Sequence, residues 1–479
     1  MCADRVDARV RAVLAGVLAQ RRSARVAFDY VVALSPSTRA NCWSLAESAG
    51  HEGWDRMQAL LGSYRWDWQD LRAGLAGLAA AWVPDVDGDL IGPGLAIDET
   101  AQLKHGDATA CVAPQHAGCT GTVENCVTTV FCAYVSAHGQ VWVDFDVYMP
   151  TRWADDQARR QAAGIPDELE FATKPELAMR QLERLIAAGL LVRWVAFDEV
   201  YGRSEALRKQ AAAAGLAYAA IIPCDYLVTT PAGTTIRADA AIANAVFERR
   251  SCGNGSKGPR YSDWAMTATG INGQYLLIRR LLSRPDQYTF YLCWAPPDRP
   301  ATMTYFITIA GRRWPVEETF KTGKDVFGWD QSQVRTWHGI CRHTALAALA
   351  QLRAAAIRGA LTSSIQLPDP EPANTPSPTT SQDPDTPDDD RINDTDLHIP
   401  LGDAPVPNRS GQPCPPDIAP IKLSIAETAR LARLAAQHTA GLISRARLAF
   451  ALRWSQRRRR HQATARWHHY NTRLLAGTG

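Results

Sequence analysis

No Cys-x-x-Cys pair occurs among the eleven cysteines of this 479-residue chain, and their number is odd. That speaks against a zinc cluster and against a secreted disulfide framework, and leaves free thiols in a reducing compartment. There is no apolar run of the roughly eighteen residues needed to cross a bilayer and no basic-then-apolar leader, so an intracellular, cytoplasmic chain without a membrane partner is expected. A nucleotide P-loop, a redox glycine fingerprint and a serine nucleophile elbow are missing as well. Charge is scarce in sum, at +3, but it is unevenly spread. Residues 361 to 420 hold ten Asp and one Glu against two Arg, whereas 421 to 479 hold eleven Arg and one Lys against a single Glu. A basic end of this kind favours polyanions.

The chain divides by pattern into six stretches. Residues 1–88 read as a helical unit carrying Arg21, Arg22, Arg25, Arg39, Arg56 and Arg65 among Trp43, Trp54, Trp66 and Trp68. Such a unit fits either a DNA-binding domain or a plain helical cap. Residues 89–224 alternate strands and helices. A strand ends in Ile97-Asp98-Glu99-Thr100, β-rich runs follow at 126–136 and 140–148, and a helix spans 174–188. A buried strand then ends in Phe197-Asp198, with a helix over 204–214 and a strand over 216–223. Three meandering strands, then helix, strand, helix, strand, is the order of an α/β, RNase H-like core built on a mixed five-stranded sheet.

From 225 to 310 the alternation gives way to a β-rich insertion. It contains a basic glycine-rich loop, Arg249 to Arg260, in which Lys257 and Arg260 either contact phosphate or simply close a hairpin. Helices over 311–360 return to the core. Residues 361–420 hold fourteen of the 29 prolines, a composition unable to bury a core and read as a disordered linker. In the final stretch, 421–479, Ser424 and Glu427 mark a helix start, and Arg457-Arg458-Arg459-Arg460 either contacts phosphates or solubilises the tail.

The chemistry rests on three acids. Asp98 and Asp198 each end a core strand, where side chains converge in open sheets. Glu317 lies in Arg313-Trp314-Pro315-Val316-Glu317, where Pro315 suits a first helical turn and Glu317, Lys321 and Lys324 share one face. Three carboxylates supply the hard oxygen ligands that Mg²⁺, or Mn²⁺ in its place, prefers. Two such ions about 4 Å apart suit phosphoryl transfer on a nucleic acid. Glu99 and Glu199, one residue further on, are expected on the opposite strand face.

Taken in order, these blocks resemble the bacterial insertion-sequence transposases of the DDE, RNase H-like superfamily, in the branch with a Tyr-Arg-Glu-Lys signature. Ile97 to Thr100 with Lys104-His105-Gly106 is similar to the first acidic block and Phe197 to Gly202 to the second. Arg313, Glu317 and Lys324 match the Arg-x3-Glu-x6-Lys spacing, and Gly328 to Arg335 resembles its continuation. Ala310 stands where the signature tyrosine falls, with Tyr305 the alternative. The resemblance implies Asp98, Asp198 and Glu317 as catalytic ligands of two Mg²⁺ ions. Arg313, Lys324, Lys104 and Arg335 are then implied DNA contacts. It further implies double-stranded DNA partners, both terminal inverted repeats and target, and a homodimer in a synaptic complex. Trp264, Trp294 or Trp314 is the candidate to stack a flipped base.

Overall fold

The structure is a computed structural model, and it describes residues 2–34, 40–86, 88–118, 120–255, 258–362, 421–439 and 443–476. Lys257 and nearly all of the expected linker, 363–420, lie outside the described residues.

Five helices come first: α1 (Cys2–Val17), α2 (Arg21–Ala33), α3 (Cys42–Ser48), α4 (Asp55–Leu61) and α5 (Trp68–Trp82). Asn41 and Asp67 cap α3 and α5 by accepting from the backbone N–H of Ser44 and Gln69, which fixes where those helices start. Strands β1 (Gly94–Leu103), β2 (Ala113–Ala117), β3 (Thr122–Ser136) and β4 (Gly139–Val147) follow. Next come α6 (Thr151–Ala154), α7 (Gln157–Ala163), α8 (Lys174–Ala187), β5 (Trp194–Phe197), α9 (Glu199–Gly202), α10 (Glu205–Ala213) and β6 (Ala217–Ile222). Thr173 and Glu176 close α8 with a reciprocal capping box.

The core of the sheet runs β4-β3-β1-β5-β6. β1 pairs antiparallel with β3 and parallel with β5, and β5 pairs parallel with β6. Parallel neighbours need crossovers, and α8 and then α9 with α10 supply them. A three-stranded meander whose first strand is followed outward by two parallel strands is the RNase H-like arrangement.

Past β6 come β7 (Leu227–Thr229), β8 (Thr235–Arg237), β9 (Glu248–Gly255), β10 (Gly258–Ala268), β11 (Gln274–Arg280) and β12 (Tyr288–Trp294). Among the described residues only β7 and β8 form a sheet of their own; β12 lies antiparallel against β6 and carries β11, β10 and β9 behind it as one continuous sheet. The β-rich character expected up to 310 stops earlier, because Met303 begins a helix. Its residues Thr304, Tyr305, Phe306, Ile307 and Thr308 favour strands, yet Thr302 caps the turn and Tyr305, Phe306, Ile307 and Ile309 bury against the sheet, so packing overrides propensity.

The chain then runs through α11 (Met303–Arg313), α12 (Pro315–Asp325) and α13 (Trp337–Thr362), with α14 (Ile425–Thr439) and α15 (Arg445–Ala476) last. Helix α13 is buried on every side from Ala345 to Ile357, with Gln351 and Arg353 the polar residues of that stretch, and lies between β4 and the N-terminal helices. Its buried polar residues are paired: Gln351 bonds Trp142 and Thr319, Arg342 donates to the carbonyls of Gly62 and Trp66, and Arg353 pairs with Asp7 at 2.5 Å. One hydrophobic cluster therefore joins α1–α5, the sheet and α11–α13.

Candidate metal centre

Parallel pairing between β1 and β5 ends at Ile97 and Phe197, so Asp98 and Asp198 leave the ladder side by side. Asp198 is the residue at which β5 turns into α9. Its Oδ1 accepts from the backbone N–H of Val200 at 3.0 Å and of Tyr201 at 3.2 Å, which holds the carboxylate at the strand end. Oδ1 of Asp98 accepts from its neighbour's N–H, that of Glu99, at 2.8 Å.

The third acid of this cluster is Glu99. One ligand oxygen from each of Asp98, Glu99 and Asp198 lies within 4.8 Å of the others. Placing Glu99 on the far face was therefore wrong. Alternation separates side chains only while the sheet continues between them. Where β5 has ended, the longer Glu99 side chain reaches around to the same centre. Two groups hold it there: Lys174 Nζ at 2.7 Å, from the first turn of α8, and the Tyr201 hydroxyl, donating at 2.6 Å. Glu199 does turn away, into an exposed pair with Arg203 at 2.5 Å.

Arg313 enters from the end of α11. That end is fixed by Arg312, which pairs with Asp89 at 2.6 Å and donates to the Gly92 carbonyl at 3.2 Å. Gly311 lets α11 lie directly on β9, since a Cβ there would overlap the Cys252 carbonyl, and Gly323 lets α12 lie on the Trp142 ring for the same reason. From this position Arg313 Nη1 stands 3.2 Å from Asp98 Oδ2, and Nη2 stands 3.1 Å from Glu317 Oε1. Glu317, half exposed, thus reaches the cluster through the guanidinium rather than joining it directly.

Burial and crowding of like charge raise both aspartates. Asp98 is pushed to about 8, by burial first and then by Asp198, with Arg313 opposing. Asp198 is pushed to about 6, by burial first and then by Glu99. A metal-free site therefore holds protons near neutrality. The donors are all carboxylate oxygens, close enough to share one centre and short of positive charge. That set fits a hard divalent cation such as Mg²⁺ and suits no soft metal.

The remaining candidates are scattered. Lys104 Nζ donates to the Ser332 carbonyl at 2.7 Å, and burial lowers its pKa to about 8. Arg260 lies between β10 and α11, donating to the Gly311 carbonyl at 3.1 Å, with its guanidinium 5.7 Å from the centre of the Trp314 ring. Lys324 is half-buried on α12, and Arg335 is exposed before α13. Arg457 and Arg458 are exposed on α15, the latter 2.9 Å from Glu427. Trp264 is fully buried, Trp294 stacks on Tyr218, and Trp314 is 50% exposed beside Arg313. Ala310 sits on α11, and Tyr305 is buried; Tyr291 of β12 is buried as well, and burial raises its hydroxyl while the Arg279 and then the Arg313 guanidinium oppose that. Sequence spacing carried no signal for Tyr291 or Lys174, which arrive from other elements.

An RNase H-ordered sheet with two aspartates just past the point where the pairing of adjacent parallel strands stops fits the DDE class of nucleic-acid phosphoryl-transfer folds. The chain belongs to the DDE superfamily endonucleases: that family's model matches residues 13–259, more than half of its length. The transposase DDE domain model matches residues 174–352. No curated protein matches. Among solved structures, a piggyBac transposase synaptic complex with hairpin DNA is similar at 11% identity with a TM-score of 0.32, over 75% of this chain and 78% of that one. No described helix is long and apolar enough to cross a membrane.

Proposed function

We propose that this chain is a DNA transposase that binds terminal inverted repeats, cleaves the transposon ends and transfers the freed 3′-hydroxyl to target DNA. The observation that carries the reading is the carboxylate cluster of Asp98, Asp198 and Glu99, with Glu317 joined to it by Arg313. Asp98, Asp198 and Glu317 would hold two Mg²⁺ ions, with Mn²⁺ able to take their place, and Glu99 would add a fourth carboxylate. Bound there, the ions would supply Lewis-acid stabilisation of the charge that develops in phosphoryl transfer.

The chain's own groups do the rest. Asp198, held by two backbone N–H groups, and Asp98, held by one, present their carboxylates in fixed positions, so little reorganisation is left to the reaction. Lys174 and Tyr201 orient Glu99 from the outside. Arg313 and Lys324 neutralise phosphates that flank the cut, with Arg335, Arg260, Lys104 and Lys257 along the duplex and Arg457 and Arg458 contacting it further out. The N-terminal helices form the DNA-binding domain, and the working state is a cytoplasmic homodimer on two ends.

A strand-transfer assay with pre-cut end duplexes tests the whole reading. Joined products that require Mg²⁺ and vanish in Asp198→Ala and Glu317→Gln are expected. Hydrolysis without joining would make the protein a nuclease only, and end binding without any cleavage would make it a DNA-binding protein.

A further inference from the structure

The position of Arg313 is at odds with a fixed role in gripping DNA. A residue that grips phosphate should present its guanidinium to solvent, yet the Arg313 side chain is only 16% exposed and both its terminal nitrogens are spent on carboxylates. Those carboxylates are far apart in sequence: Asp98 from the end of a parallel strand pair and Glu317 from the first turn of α12. A guanidinium is planar, permanently charged and two-pronged, and is well suited to bridge two carboxylates. Asp98 and Glu317 are also two of the three proposed metal ligands, so the same oxygens are claimed by two different cations.

Charge counting gives the reason. Asp98, Glu99, Asp198 and Glu317 bring four carboxylates into one region, and Lys174 is engaged with Glu99. Without an ion, Arg313 is the cation left to face Asp98 and Glu317 among the described residues. A divalent ion brings more charge and takes the same oxygens at shorter range. It leaves the guanidinium without its partners, next to where DNA phosphates must lie. The side chain sits at the junction of α11 and α12, beside half-exposed Trp314, so its outward path is short.

We propose that Arg313 is a placeholder for the metal: in the ion-free protein its guanidinium occupies the cation position between Asp98 and Glu317, and metal binding releases it to hold a DNA phosphate. The inference rests on the metal-centre reading of the same residues. It makes competence for tight DNA contact depend on prior ion loading, through one side chain with two alternative partners.

The test is a binding experiment on the full-length chain with Mn²⁺ alone, read as loss of free-ion electron paramagnetic resonance signal, for wild type, Arg313→Gln, Arg313→Lys and Asp98→Asn. Removing the competing cation should tighten Mn²⁺ binding about tenfold in Arg313→Gln, with Arg313→Lys in between. Equal or weaker binding in Arg313→Gln, with thermal melting showing it folded, overturns the proposal while leaving the metal centre intact. Mn²⁺ binding that ignores Asp98→Asn overturns both.

A second reading uses the salt dependence of binding to an end duplex, in Ca²⁺ and in EDTA. Each phosphate contact contributes about 0.9 to the slope of log affinity against log salt. Arg313→Gln should lower the slope by about that amount in Ca²⁺ and leave it unchanged in EDTA. The same change under both conditions would mean that Arg313 contacts DNA regardless of the ion, and the proposal fails.

Discussion

Two acidic clusters sit in the same sheet with different bookkeeping of charge. On β4, Asp144 and Asp146 meet two guanidiniums: Arg184 from α8 at 2.9 and 2.5 Å, and Arg72 from α5 at 3.6 and 3.3 Å. Gln181 adds a hydrogen bond to Asp146 at 3.1 Å. Two anions and two cations cancel, and the result ties the N-terminal helices and α8 to β4. Where the β1–β5 pairing stops, Asp98, Glu99, Asp198 and Glu317 share, among the described residues, only Arg313 and Lys174. Both clusters are buried enough that burial raises an aspartate in each. Only the under-compensated one has a reason to bind another cation. The number of acids matters less than the charge left over.

Four experiments press on that contrast. The largest effect belongs to the strand-end cluster: Asp198→Ala should lower Mg²⁺-dependent end cleavage on the order of a thousandfold or more, measured by single-turnover nicking. Residual cleavage within tenfold of wild type would remove Asp198 from the site. Next, Arg72→Met should leave a buried anion uncompensated and cost roughly 3 kcal/mol, read from the urea midpoint at unchanged slope. An unchanged midpoint would show the β4 cluster to be a bystander.

The third experiment follows from protonation. Asp98 titrates at about 8 and Asp198 at about 6 in the folded, metal-free protein, above the ordinary value of 3.8. The native state then holds protons that the unfolded chain has lost, so these groups make stability fall as pH rises from about 4 to 8 and not beyond. In EDTA the melting temperature should decline across that window. Mg²⁺ should flatten the decline, and Asp98→Asn should reduce it while stabilising the metal-free protein at pH 8. A melting temperature that rises with pH in EDTA contradicts the charge imbalance. The smallest effect is at Glu99: Glu99→Gln should weaken Mn²⁺ binding roughly tenfold, and no change would confine Glu99 to its contacts with Lys174 and Tyr201.

How much of this was readable from residues alone varies by distance. The strand ending at Asp198 was legible, because burial on both faces leaves a short apolar run that stops at the acid, whereas β1 runs on past Asp98 to Leu103 and only its pairing with β5 stops there. The spacing of Arg313, Glu317 and Lys324 was legible as one helical face. Glu99 was misplaced because alternation holds along a strand and says nothing past its neighbour's end. Helix α11 was missed because its β-branched and aromatic residues favour strands until the sheet beneath them is known. The continuous sheet beyond β6 was hidden in the same way: Ala219 and Cys293 are partners across 74 positions, and no local pattern marks such a pair. Nor does any announce that Arg72 and Arg184 converge on Asp144.

Helix α13 imposes an order on biosynthesis. Its buried circumference fills space between the first five helices and the sheet, yet it is among the last of this body to leave the ribosome. A nascent chain that stops short of residue 337 has all four carboxylates and their supports but an unfilled interior: α5 can touch β4, yet α1, α2 and α4 lack the helix they pack on. Assembly of a nucleic-acid-cutting centre is thereby deferred until nearly three-quarters of the polypeptide exists, and prematurely terminated products should be insoluble rather than hazardous to the genome.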